Sequence, residues 1–131
     1  MVSKKTLAIE EAKAYIRSAK ANLDRGDENQ CIDSLFYAYE HIANVLVVRQ
    51  FGKPTKDHRE KLNALGRAYR EGRISSEEHE ACKRVGSLRN FAQQSPYDDV
   101  AVIRLKKGEV GRLYESIVKL VDRIEKDKED E

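Results

Sequence analysis

Arg89 and Asn90, followed by Gln94 and Tyr97, set a guanidinium, two carboxamides and a phenol where Pro96 is about to break a helix. A guanidinium is a planar fork that fits phosphate oxygens and stays charged at any physiological pH. A carboxamide donates and accepts hydrogen bonds but has no useful titration, so Gln94 cannot carry a proton. The segment therefore has a grip for an anion and no acid–base group. Arg84, five residues earlier, is a second cation. The remaining candidate for proton transfer is His58, in a loop-to-helix turn that can fold toward the Arg89 end of the later helix.

Each of these residues also has a plainer use. Arg89 can pair with a helix-end carbonyl or with Asp98 or Asp99, and Asn90 and Gln94 can cap the helix that Pro96 stops. Tyr97 can simply pack in its loop, and His58 can bond backbone or a neighbouring side chain in a first turn. Metal chemistry has little to stand on. His41 and His79 have no carboxylate three residues before them, so the Glu-x-x-His pattern of di-iron bundles is missing. His79-x-x-Cys82 is one pair, where a structural zinc needs four ligands. No Gly-x-Gly-x-x-Gly, phosphate-loop, Gly-x-Ser-x-Gly or His-Glu-x-x-His sequence occurs, so no metal and no cofactor are expected.

The elements that hold these residues read as helices. Apolar residues are 40% of the 131 and charged ones 37%, with two Pro and seven Gly, the balance of long solvent-laced helices. Ala8, Ala12, Tyr15, Ile16, Ala19 and Leu23 draw a first apolar face that Gly26 and Asp27 end. Cys31, Ile32, Leu35, Phe36, Tyr39, Ile42, Ala43, Leu46 and Val47 draw a wider second one, closed by Gly52 and Pro54. Its run Val45-Leu46-Val47-Val48 is apolar on nearly every side, which suits a face shared with another chain. Thr55 or Asp57 caps a short basic third helix through Leu62, Leu65 and Tyr69, and Gly72 stops it. Ser75-x-x-Glu78 is a capping box opening a fourth helix, and Val110 to Ile124 forms the fifth. Residues 95–108 read as a loop, with Val100 to Leu105 an extended or irregular piece. Short connections predict antiparallel neighbours. The fold class is all-α, an up-and-down bundle of four long helices plus one shorter helix. One domain is expected over residues 1–131, ordered from about residue 7 to 125 and ending in a charged C-terminal tail.

The net charge of +2 neither demands nor excludes a polyanion. Basic residues exceed acidic ones from Lys56 to Arg89, with Arg67, Arg70, Arg73, Lys83, Arg84 and Arg89 prominent. A solvated helix face and a nucleic-acid footprint both fit that run. Two cysteines make no disulfide framework, no charged-then-apolar leader precedes Leu7, and no apolar run approaches a membrane span, so a cytoplasmic location and no membrane partner are expected.

In this helical setting Leu88-Arg89-Asn90-Phe91-Ala92-Gln93-Gln94-Ser95-Pro96-Tyr97 resembles the signature region of HEPN domains, the small helical domains of prokaryotic toxin and antitoxin pairs. Ser34-Leu35-Phe36-Tyr37-Ala38 is similar to their aromatic-rich second helix, and Lys53 to Arg59 to the turn, often carrying His, before their third. The resemblance runs from about Ala12 to Ile124 and implies a HEPN-like bundle. RNA-cleaving members carry a His after four to six intervening positions from the Arg; here the five-residue step lands on Gln94. Tyr97 is similar to a tyrosine that in some members receives a nucleotide. The resemblance thus implies a degenerate, non-catalytic HEPN protein of a toxin–antitoxin-like system. It would work as a homodimer that binds RNA or a nucleotide phosphate through Arg89, Asn90, Gln94, Tyr97 and Arg84, or with a nucleotidyltransferase antitoxin partner. The alternatives are a metal-independent HEPN ribonuclease in which Arg89 works with a displaced His58, and a helical scaffold without ligand.

Overall fold

A computed structural model of the chain describes residues 3–94 and 105–127, with residues 90–94 described by backbone alone. Five helices follow in order: α1 Lys4–Asp24, α2 Glu28–Phe51, α3 His58–Arg70, α4 Ser76–Gln94 and α5 Glu109–Lys126. Their starts and stops are written locally. Ser3 caps α1 by accepting from the Thr6 amide at 3.1 Å, so α1 begins a turn earlier than its apolar face at Ala8 suggests. Asp27 caps α2 through the Gln30 amide. Of the two candidates for α3, Asp57 is the cap, accepting from the Arg59 amide at 2.8 Å. Gly52 takes φ +84° after α2, a left-handed turn in which an L side chain is strained.

The capping box predicted for α4 is present in both directions: Ser75 Oγ accepts from the Glu78 amide and Glu78 Oε1 from the Ser75 amide, each at 3.1 Å. Glu78 does more than cap. Its carboxylate is 1% exposed and takes two hydrogen bonds from Arg123 of α5, at 2.8 and 3.0 Å, which locks the start of α4 onto the end of α5.

The helices α1, α2, α4 and α5 close a four-helix ring, and the shorter α3 lies across α2 and α4. The fold is an all-α bundle of four long helices plus one shorter one. Small residues let α1 approach α2 closely: Ala12 and Ala19 are fully buried, and Ser34 Oγ donates to Ser18 Oγ across the contact at 3.2 Å. Packed against all four other helices, α2 is central. That position accounts for the run Val45-Leu46-Val47-Val48 without a second chain, because Val45, Leu46 and Val47 are buried within their own bundle and only Val48 is partly open. The end of α5 is tied down by Lys5, whose Nζ donates to the Asp127 carbonyl at 2.6 Å, and by an Arg73–Asp127 ion pair.

Cys31 and Cys82 are free thiols, both fully buried. Burial, with Glu28 and Asp27 adding to it, pushes the Cys31 thiol up to about 11, and burial also raises Cys82. Since the thiolate is the reactive form, neither cysteine is expected to be alkylated by iodoacetamide at pH 8 in the native protein. Both should be modified within minutes in guanidinium. Rapid native labelling, read by intact mass, would contradict this packing.

Candidate functional site

Along α2, polar groups recur at Asp33, Tyr37, Glu40 and Asn44, steps of four, three and four residues that place them on one stripe. Three parts of the chain meet them. Asp33 and Tyr37 receive Arg89 of α4, Glu40 receives His58 and Lys61 of α3, and Asn44 accepts from the Thr55 amide at 3.0 Å. The stripe is the seam on which α4, α3 and their lead-in turn are registered.

At the α4 end, Arg89 Nε donates to Asp33 Oδ1 at 3.1 Å and Nη2 donates to the Tyr37 hydroxyl at 2.8 Å. The guanidinium carbon lies 4.1 Å from the centre of the Phe36 ring and 5.0 Å from that of Tyr37. Those ring faces attract a cation by about 0.5–2 kcal/mol. Its side chain is 14% exposed, against 40% for Asp33. Arg89 is therefore a cation fixed in orientation, with its Nη1 carrying no hydrogen bond among the described residues. A bound phosphate oxygen would meet a donor already aimed, at little entropic cost.

At the α3 end, His58 Nδ1 lies 2.9 Å from Glu40 Oε2, and Lys61 Nζ donates to Glu40 Oε1 at 2.8 Å. Glu40 and Lys61 side chains are each 9% exposed, and the imidazole is 54% exposed. The His58 ring meets Phe36 edge-on, 5.1 Å between centroids. One aromatic ring thus carries both Arg89 and His58, so the two groups are no further apart than those contacts laid end to end. His58 thus comes near the Arg89 end of α4, with its Nδ1 on the Glu40 carboxylate. Beyond Tyr37 the aromatic series continues, with Tyr15 stacked on both Tyr37 and His41 at 5.3 and 5.6 Å.

Among the described residues Arg84 turns away from this group. Five residues amount to about 140° of helical rotation, and Arg84 turns to α5, giving Glu109 two hydrogen bonds at 2.7 and 3.0 Å. That pair, then burial opposing it, then the Lys106 amide, hold the Glu109 carboxyl below its usual value. The side chains of Asn90 and Gln94, and the whole of Tyr97, Asp98 and Asp99, lie outside the described residues. Among the described residues the carboxylate that Arg89 meets is Asp33, 56 residues away in sequence. His79 is stacked on Tyr69 at 5.2 Å. Among the described residues no three His, Cys, Asp or Glu side chains are grouped to hold a metal ion, and no helix is long and apolar enough to cross a membrane.

Asp33, Tyr37, Glu40 and Lys61 are members of the site that the sequence reading misses. The signal for the first three was the polar stripe on α2 at helical spacing; Lys61, on α3, had none.

The family model for the HEPN domain matches residues 6–127. No curated protein matches the chain. The match takes in nearly all of the five helices together with the arginine-bearing end of α4 and the aromatic stretch of α2 on which it rests, and on that extent the chain belongs to the HEPN domain family.

Proposed function

We propose that this chain is a phosphate-binding HEPN protein without turnover, which holds RNA or a nucleotide through Arg89. At the coarse level the family points to ribonuclease or nucleotide-related function. The observation that carries the finer reading is the fixation of Arg89 by Asp33, Tyr37 and Phe36, with Nη1 unpaired among the described residues, in a chain whose signature position is filled by Gln94. Without an acid–base group there, a phosphodiester loses the factor of about 10²–10⁴ that proton transfer supplies. HEPN domains often dimerise, and a two-fold arrangement that brought two Arg89 platforms to one cleft would let Asn90, Gln94, Tyr97 and Arg84 add to the grip on phosphate. A nucleotidyltransferase is the partner that such a non-catalytic subunit suits, in a toxin–antitoxin-like pair.

A second reading has its own support. His58 and Arg89 share the Phe36 ring, and Glu40 holds the imidazole through Nδ1, which makes His58 a displaced proton carrier for a metal-independent ribonuclease.

Labelled single-stranded RNA, incubated without metal, separates the two. Expected are no cleavage by the native protein, binding that Arg89→Ala weakens by at least tenfold, and cleavage gained by Gln94→His. Cleavage by the native chain that is lost in both Arg89→Ala and His58→Ala would establish the second reading instead. Equal binding by native protein and Arg89→Ala, with no cleavage by either, would reject both readings of the Arg89 site.

A further inference from the structure

A groove between the end of α2 and the outer face of α3 takes no part in the Arg89 site. Its volume is about 610 Å³, and Gln50, Phe51, Lys53, Asn63, Arg67 and Arg70 are among the residues lining it. Phe51 is 66% exposed, whereas Phe36 on the same helix is 2% exposed. The position of Phe51 is well fixed. It is the last residue of α2, the Gly52 amide closes the helix onto the Val48 carbonyl at 2.7 Å, and Asn44 pins the following turn at Thr55. A ring left in water on a rigid helix end forgoes the burial its core neighbours obtain.

The charges around it have a sign. Three cations, Lys53, Arg67 and Arg70, line it with one carboxylate, Glu60. Arg67 Nε holds Glu71 at 3.1 Å in a pair exposed on both sides, which salt and competing anions loosen readily. Gln50 and Asn63 add amides that can donate to or accept from a base edge. An apolar peptide would leave the cations unmatched, and a bare phosphate would leave the ring unused.

We propose that this groove binds a single-stranded polynucleotide, with one base stacked on Phe51 and the flanking phosphates on Arg67 and Arg70. Every base has a π face, so the contact tolerates sequence while the guanidiniums follow the backbone. The fifteen residues from Phe36 to Phe51 span about 22 Å of α2, which makes the groove a contact separate from Arg89. The inference stands whether or not the Arg89 reading does.

Fluorescence anisotropy with a short labelled oligouridylate, an oligothymidylate of equal length and a polyglutamate peptide tests it on the full chain. Expected are about a tenfold loss of polynucleotide affinity in Phe51→Ala and retention in Phe51→Trp, because base–aromatic stacking is lost only in the first. In the Arg67→Ala/Arg70→Ala double variant the log–log salt slope should fall by about 0.7 for each phosphate contact removed. Loss in the RNA arm, the DNA arm or both supports the proposal and says which strand the groove takes. Phe51→Ala binding like native, native protein binding neither strand, or polyglutamate binding more tightly than either would overturn it. Arg89→Ala, measured in parallel, decides the Arg89 reading separately. Helical circular dichroism and melting of Phe51→Ala should match native protein, since the side chain is exposed.

Discussion

Glu78→Ala is expected to cost about 2–4 kcal/mol of folding stability, and so to lower Tm by roughly 6–15 °C. Three interactions go at once: the acceptor for the Ser75 amide, and both hydrogen bonds from Arg123 that join α4 to α5. A cap alone is worth about 1 kcal/mol. Breaking a fully buried ion pair costs about 3–5 kcal/mol, but Arg123 is 48% exposed and regains water when its partner leaves, which reduces that part. Glu78→Gln keeps the shape and the cap and should lose about half as much. The substitutions also differ from native protein in their response to acid. Burial by itself would raise the Glu78 carboxyl, but the Arg123 and Ser75 hydrogen bonds and the Arg123 charge hold it below its ordinary value of 4.5. A carboxyl depressed in the folded state contributes stability that is present above the unfolded pKa and is lost as pH falls through the folded one. Native protein should therefore lose stability below about pH 4.5, partly through Glu78 and partly through Glu109, whose carboxyl is also lowered. Glu78→Gln should show a shallower acid limb. Urea melts at a series of pH values measure both effects, and parallel limbs for the two proteins would refute the assignment.

Gly86→Ala should also destabilise, although replacing a mid-helix glycine by alanine ordinarily gains about 1 kcal/mol. Gly86 is buried in α4 where it crosses α2, and an added Cβ would lie 2.8 Å from the Tyr39 hydroxyl. That oxygen ends a stiff ring that is 1% exposed, with no room to swing away. Either the ring or α4 must move, at about 1–3 kcal/mol for an overpacked contact. The net loss is expected to be about 1–2 kcal/mol. Because Arg89 follows one turn later on the same helix, the displacement should loosen its contacts with Asp33 and Tyr37 as well. Gly86→Ala is thus expected to weaken Arg89-dependent RNA binding without touching the site. A double-mutant cycle gives the decisive comparison. Tyr39→Phe removes the obstructing oxygen, so Gly86→Ala in that background should recover stability and show the helix-propensity gain. If Gly86→Ala costs the same in both backgrounds, the close approach of the two helices is not what the glycine serves.

Much of this architecture was readable from short stretches of chain. Helix ends depend on groups within four residues of one another, which is why Ser75 with Glu78, Asp57, Gly26 and Gly52 could be recognised as stops and caps. Apolar spacing likewise gave five helices and an all-α bundle. The Val45–Val48 run shows the limit of periodicity. It reports that a face is apolar, and does not say whether α3 or another chain covers it. The same limit separates Arg84 from Arg89, two cations close in sequence that the helix turns toward different neighbours.

The chain's own order of residues determined the helices, their ends, the HEPN-like signature and the carboxamide of Gln94 five positions after Arg89. Tertiary structure alone decided what the surviving cation does. Asp33 and Tyr37 are 56 and 52 residues from Arg89, and Glu40 is 18 residues from His58. No local rule couples groups so far apart. They meet because α3 and α4 both pack on one stripe of α2, and the Phe36 ring at their junction can be shared only after that packing is complete.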